Sequence, residues 1–508
     1  MVSRRSFLSS VLALPLLANA PAAWADLKRA PRPVLRPGSA LPPAIPGLDE
    51  LIRAAALGGD ISFAVADAAT GAVLESHAGQ KTMPPASVAK ALTALYALDT
   101  LGADFRFTTR LLATGPLKDG VIEGDLVLVG GGDPTLDTDA LGDMAVALKR
   151  LGVNRISGRF LVDARALPCV HEIDPDQSDY AGYNPAICGL NLNYNRVYFE
   201  WKKTGTDYRL TMDARGVRFK PAVKIARIRI DERRTPVFTW ADRQGGDDWS
   251  VARRALGKKG GRWLPVRRPE LYCGEVFASL AREQGIALSE AQVRLAPVQA
   301  QDTGAGQGRE LLAHRSEPLA VILRNMLRYS TNLTAEVLGL TATRARGRVV
   351  RGLKASCREM NSWARQKYAL RQIKFVDHSG LGTASRISAQ DMVRVLALGG
   401  PEGALRPMLK PLALKDAKGR PVKDHPIRVE AKTGTLDFVS ALAGYARGPD
   451  GRALAFAIFS GDVERRAAAR LISRDARPEG ARSWNRRARK LQQALIVRWA
   501  GLYGGNAG

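Results

Sequence analysis

Pro84-Pro85-Ala86-Ser87-Val88-Ala89-Lys90-Ala91-Leu92 decides how the rest of the chain is read. The two prolines break whatever precedes them, and residues 87–101 then carry apolar side chains at helical spacing, at Leu92, Leu95, Tyr96 and Leu98. Ser87 therefore opens a predicted helix, and Lys90, three residues on, lies on the same face. Unpaired N–H groups and the dipole at a helix N-terminus favour a developing alkoxide. A lysine taken out of water beside other cations loses its proton near neutral pH and can act as a base. A serine so placed can attack a carbonyl without help from histidine. The bland alternative for Ser87 is a plain helix cap.

Two further motifs belong with this pair. Ser330-Thr331-Asn332 opens the apolar segment 333–338, and Lys432-Thr433-Gly434 enters a strongly apolar hairpin. Accidental copies test the assignment. Ser87 is the only serine with a lysine three residues later, but Lys-Thr-Gly recurs at Lys203-Thr204-Gly205 and Ser-x-Asn recurs at Ser483-Trp484-Asn485. Lys203 precedes both Ser-x-Asn copies and sits in a polar, Lys- and Arg-rich stretch. Ser483 follows Lys432 and stands between two arginines. Order and context select Ser87, Lys90, Ser330, Asn332 and Lys432 as the catalytic candidates. Thr433, Gly434 and Thr435 are the candidates for binding substrate along a strand. In this reading Ser330 relays a proton between Lys90 and a leaving amine, Asn332 holds a substrate amide and Lys432 attracts a carboxylate. The backbone N–H groups of Ser87 and Thr435 face the oxyanion.

Outward from these motifs, residues 61–67 and 72–76 flank a Thr70-Gly71 turn and predict a β-hairpin. Near the other end, 432–445 is β-rich, Pro449-Asp450-Gly451-Arg452 is a turn, 453–459 is a buried strand, and a last helix covers roughly 483–499. The two ends of the chain thus predict one antiparallel sheet with helices packed on it, an α/β (α+β) unit formed by residues 48–103 and 313–505. Residues 104–312 predict an inserted, strand-rich module of one or two subdomains.

Residues 1–25 read as an export signal: Ser3-Arg4-Arg5-Ser6-Phe7-Leu8 resembles a twin-arginine motif, with an ordinary secretory signal as the alternative. A Pro-rich linker, 26–47, follows. No apolar run reaches the ~18 residues of a membrane span, so the expectation is an exported, periplasmic protein. Cys169 and Cys188 are near enough in sequence to close a local loop, while Cys273 and Cys357 read as buried thiols. The net charge of +27 calls for an anionic neighbour. The basic residues are scattered or lie in stretches near 220–234, 258–268 and 465–490, without interleaved aromatics, so nucleic acid is not the expected partner. Peripheral association with an anionic wall polymer or membrane surface is. Five histidines show neither metal spacing nor a Gly-x-Ser-x-Gly elbow, which argues against a Ser-His-Asp hydrolase. His378 reads as structural, and Gly130-Gly131-Gly132 as a turn.

Taken together, these motifs resemble the D-alanyl-D-alanine carboxypeptidase/endopeptidase family of class C low-molecular-mass penicillin-binding proteins (peptidase family S13). Ser87 and Ser330 are 243 residues apart, far more than in β-lactamases. Further matches are Gly124-Asp125-Leu126, Gly131-Gly132-Asp133-Pro134-Thr135-Leu136 and Asp377-His378-Ser379-Gly380-Leu381. The resemblance implies a transpeptidase/β-lactamase-like fold and a covalent acyl-enzyme on Ser87. It implies no metal and no cofactor, peptidoglycan stem peptides as substrate with cross-links between stems as a further target, and acylation by β-lactam inhibitors. Two departures stand out. Thr331 replaces an Asp, and Gly382-Thr383 replaces a Ser-Arg whose arginine would face an acidic side chain on the donor peptide. The rival readings are a β-lactamase or esterase on the same fold, and a non-catalytic, basic wall-binding protein.

Overall fold

The structure is a computed structural model and describes residues 45–243, 245–293, 308–416 and 418–504. The expected export signal, 1–25, and most of the expected linker, 26–47, lie outside the described residues. The first helix among the described residues is Leu48–Ala55.

The two ends of the chain do meet in one six-stranded antiparallel sheet. Its order runs Val73–His77, Asp60–Asp67, Ala453–Gly461, Val439–Arg447, Arg428–Leu436 and Lys410–Pro411. Alternation along the strands explains why it is covered on both faces. Ala64, Ala66, Ala441, Ala443, Ala455, Ala457 and Phe459 point into a cluster shared with the helices Ala89–Leu101, Leu319–Tyr329, Asn332–Ala345, Leu353–Tyr368 and Ala389–Gly399. Phe63, Val65, Leu442, Leu454, Phe456 and Ile458 point the other way. They pack with Leu491, Leu495 and Trp499 of the last helix, Ala481–Tyr503. The helix-rich face is built largely from alanine, which lets helices approach the sheet closely; the opposite face carries the bulk.

Residues between these segments form a second core. A five-stranded sheet pairs Thr108–Ala113, Leu126–Val129, Phe160–Asp163, Ala291–Val293 and Arg309–Arg315, backed by the helices Thr138–Arg150 and Pro269–Glu283. Two three-stranded sheets follow from the stretch in which short strands were expected: Asp207–Asp213, Arg196–Thr204 and Lys259–Pro265 form one, and Ala226–Asp231, Gly246–Ala252 and Phe238–Arg243 the other. All four cysteines are free thiols, with Cys188, Cys273 and Cys357 buried and Cys169 exposed.

Candidate active site

Ser87 does not open the α-helix directly. It occupies one 3-10 turn, Ala86–Val88, that runs into the helix Ala89–Leu101. The residue before it, Ala86, has φ +43°, a left-handed value that alanine rarely adopts. Two close approaches hold this turn. A Cβ on Gly380 would stand 1.9 Å from the Ala86 carbonyl oxygen; one on Gly434 would stand 2.6 Å from the Pro85 carbonyl oxygen and 3.0 Å from the Ser87 nitrogen. The strand carrying Lys432 and the loop 377–382 thus press backbone against the serine turn from two sides.

Lys90 is fully buried. Its Nζ lies 3.0 Å from Ser87 Oγ, 2.7 Å from Asn332 Oδ1 and 2.8 Å from the Ser379 carbonyl oxygen. The last two atoms only accept, so they take two N–H bonds from the amine. Ser87 can accept a third from an ammonium or donate its own proton to the lone pair of a neutral amine. Burial, reinforced by the Lys432 ammonium, pushes Lys90 well below the ordinary lysine range, against the opposite pull of Glu336 and Asp377. The neutral form is thereby favoured, and with it the Ser87 O–H···Nζ arrangement.

Glu336 and Asp377 build the floor. The buried Glu336 carboxylate accepts from the backbone N–H of His378 at 2.9 Å and of Ser379 at 2.8 Å. Asp377 accepts from the N–H groups of Gly380, Leu381 and Gly382. Burial raises both carboxyls above their usual range. Together they fix the turn that aims the Ser379 carbonyl at Lys90. His378 is structural, as expected: its ring is buried, Nε2 lies 2.8 Å from Ser356 Oγ, and burial lowers it to about 3.

Ser330, at φ +60°, ends the helix Leu319–Tyr329, and Asn332 starts the next one. This break lets the two side chains face different lysines. Lys432 Nζ donates to Ser330 Oγ at 3.0 Å and to the Thr433 carbonyl at 2.9 Å, whereas Asn332 faces Lys90. The expected Ser330–Lys90 hydrogen bond is not among those formed, and Asn332 Nδ2 already donates to the Tyr183 carbonyl at 2.9 Å. Lys432 is 2% exposed and pushed down to about 8 by burial with Lys410 nearby. Thr433 and Thr435 are exposed and Gly434 is buried. Past Ala431 the outer edge of this strand has no partner among the described residues, leaving it open to an extended peptide. All eight candidates therefore lie on the elements that converge at Ser87.

The decoys fall elsewhere. Lys203 is exposed at the end of a hairpin strand, and Ser483 lies in the first turn of the last helix. Sequence reasoning gave no role to Glu336 or Asp377. A signal existed: Glu336 is a lone carboxylate inside the apolar run Leu333-Thr334-Ala335-Glu336-Val337-Leu338, four residues after Asn332. A cavity of about 310 Å³ adjoins the serine turn, lined among others by Pro84, Thr383, Leu436, Arg466 and Arg470. Its guanidinium groups come from Arg466 and Arg470 on the helix Val463–Ile472 and from Arg474 just past its end, not from position 383.

The profile of the D-Ala-D-Ala carboxypeptidase 3 (S13) family matches residues 46–476. The chain is 28% identical over 445 residues to a D-alanyl-D-alanine carboxypeptidase of Actinomadura sp. (strain R39), covering 81% of this chain and 79% of that one. It is 25% identical over 433 residues to the D-alanyl-D-alanine carboxypeptidase DacB of Haemophilus influenzae, covering 80% and 87%. The crystal structure of penicillin binding protein 4 (dacB) from Haemophilus influenzae superimposes with a TM-score of 0.69 at 19% identity. That match covers 88% of this chain and 99% of the other, and shows the same fold.

Proposed function

The chain belongs to the D-Ala-D-Ala carboxypeptidase 3 (S13) family, and on that premise we propose that it is a serine D-Ala-D-Ala carboxypeptidase acting through an acyl-enzyme on Ser87. The observation that carries the proposal is the buried Lys90 amine 3.0 Å from Ser87 Oγ, with its other two contacts pure acceptors.

The stem peptide lies along the open edge beyond Gly434, with its C-terminal carboxylate drawn to Lys432 and the Thr433 and Thr435 hydroxyls. Ser87 Oγ gives its proton to neutral Lys90 and attacks the penultimate D-Ala carbonyl, whose oxyanion is met by the N–H groups of Ser87 and Thr435. The C–N bond breaks, and the proton taken by Lys90 reaches the leaving D-Ala amine through Ser330. For that transfer the Ser330 hydroxyl must turn from Lys432 toward Lys90, since Ser330 and Lys90 are not hydrogen-bonded in the resting site. Water, deprotonated by Lys90, then releases the shortened stem. A cross-link between stems presents the same bond with a different leaving amine and is a further substrate. The acidic side chain of a donor stem would meet Arg466 and Arg470 in place of an arginine at 383. A β-lactam acylates Ser87 by the same attack, its amine leaving group remaining tethered. Export to the periplasm through the twin-arginine-like signal, and retention near anionic wall or membrane by the +27 charge, complete the proposal.

Incubation with defined monomeric and cross-linked muropeptides tests it: loss of one terminal D-Ala per monomer is expected. Ser87→Ala should abolish both this release and labelling by a fluorescent penicillin. Undiminished labelling of that variant would refute the assignment, and rapid turnover of the penicilloyl adduct would point to a β-lactamase.

A further inference from the structure

We propose that Cys169 and Cys188 join in a disulfide when the chain meets an oxidising compartment, and that this bond clamps the base of a loop whose far end walls the catalytic cleft. The structure holds the dithiol form. Val170 and Ile187 exchange both backbone hydrogen bonds, at 2.8 and 2.9 Å, which makes them a hydrogen-bonded antiparallel pair. The residues next to them, Cys169 and Cys188, are therefore directly opposed as a non-hydrogen-bonded pair. Such pairs place their Cα atoms about 4.5 Å apart with both side chains on one face, inside the span a disulfide bridges. Their sulfurs and a Glu270 carboxylate oxygen all lie within 4.8 Å of one another. Cys169 is exposed and open to an oxidant, while Cys188 is buried behind it. The other two thiols are buried within separate hydrophobic clusters.

A metal ion is the competing occupant. Two thiolates and one carboxylate leave zinc one donor short of a closed structural site, and no further Cys, His, Asp or Glu completes the group among the described residues. Direct opposition beside the isolated Val170–Ile187 antiparallel bridge favours the sulfur–sulfur bond.

The loop between the two cysteines, 170–187, reaches the catalytic groups. Its Tyr183 carbonyl receives the Asn332 side-chain N–H at 2.9 Å, and Asn332 is a partner of Lys90. Ser178 Oγ donates to the Arg474 carbonyl at 2.7 Å and the Tyr180 hydroxyl to the Asp475 carbonyl at 2.9 Å. The Arg474 guanidinium returns a bond to the Pro175 carbonyl at 3.1 Å. Closing the loop at its base restricts how far Tyr183 can withdraw from Asn332. The oxidant is a disulfide, that of a thiol oxidoreductase in the cell or oxidised glutathione in vitro. The Cys169 thiolate attacks it to form a mixed disulfide and expel one thiol. Cys188 then displaces the second thiol, so two protons and two electrons leave the pair.

The test uses the full chain with oxidised glutathione, then alkylation under denaturing conditions and peptide mass mapping. The expected result is a linked Cys169–Cys188 peptide, with Cys273 and Cys357 alone alkylated, and four alkylated cysteines after dithiothreitol. Glutathione retained on Cys169, four alkylatable thiols, or zinc that shields the pair until chelated would each overturn the disulfide. The clamp is read separately. Amide hydrogen exchange in 170–187 should accelerate on reduction, and unchanged exchange would overturn it whether or not the chain reacts with penicillin. Resting on the acyl-enzyme reading, penicillin acylation should slow about fivefold on reduction, the worth of one backbone-type hydrogen bond. Cys169→Ser should match the reduced protein and be insensitive to dithiothreitol; a reductant effect persisting in that variant would contradict the clamp.

Discussion

Lys432-Thr433-Gly434 lies on the strand Arg428–Leu436 beside the nucleophile turn, whereas Lys203-Thr204-Gly205 ends a hairpin strand in the second core. The letters are the same and the surroundings are opposite. Lys432 is 2% exposed and bonded to Ser330; Lys203 is exposed to solvent. Even the glycines are there for different reasons. Gly434 has no room for a Cβ because the backbone of Pro85 and Ser87 is against it, while Gly205 has open space and is needed for its φ of +63° in a turn. A motif of three residues carries chemistry only where the fold desolvates its lysine and brings another backbone to its glycine.

That contrast can be broken by paired substitutions. Lys432→Ala should slow acylation by a carboxylate-bearing penicillin by about a hundred- to a thousandfold, the range for removing a preorganised electrostatic donor. Lys203→Ala should leave the rate unchanged, and a comparable loss there would erase the distinction. Gly434→Ala should cost roughly a hundredfold, because the strand must retreat from the serine turn by an ångström or so. Gly205→Ala should instead lower stability by about 1 kcal/mol, measured by denaturant unfolding, with acylation intact.

The last prediction concerns stability alone, at His378 beside the buried floor of the site. His378 is lowered from 6.5 to about 3 by burial, so it stays neutral in the folded chain while the unfolded chain takes up a proton below about 6.5. The unfolded state then binds more protons, and stability falls as pH drops from about 6.5 toward 3, by at most ~1.4 kcal/mol per pH unit from this group. His378→Gln should flatten that part of the stability profile relative to the native chain. An equal slope in the two proteins would remove His378 as the cause.

Much of this arrangement was legible in the sequence because it depends on local pattern. The Thr70-Gly71 hairpin, the helix after Ser87 and the apolar strand 453–459 each follow from periodicity and turn residues, and together they imply a sheet shared by the two chain ends. What escaped depends on tertiary contact. The backbone of Gly380 and Gly434 lies against the 3-10 turn at Ser87, a packing that no local pattern marks. Glu336 was hidden because an apolar helix pattern tolerates one polar letter, and only the fold shows that it receives two backbone N–H groups. The bond from Ser330 to Lys432 depends on a left-handed residue between two helices that no periodicity marks. The contact of Tyr183 with Asn332 joins residues 149 apart.

The protonation state of Lys90 is the centre of the account, and the pH dependence of acylation reads it most directly. A β-lactam methyl ester, lacking the carboxylate that would involve Lys432, should react at a rate that rises from the acid side and levels off well below 10.5, the ordinary lysine value. A rate still climbing at pH 10 would mean that Lys90 keeps its proton at neutral pH and would contradict its role as the base for Ser87.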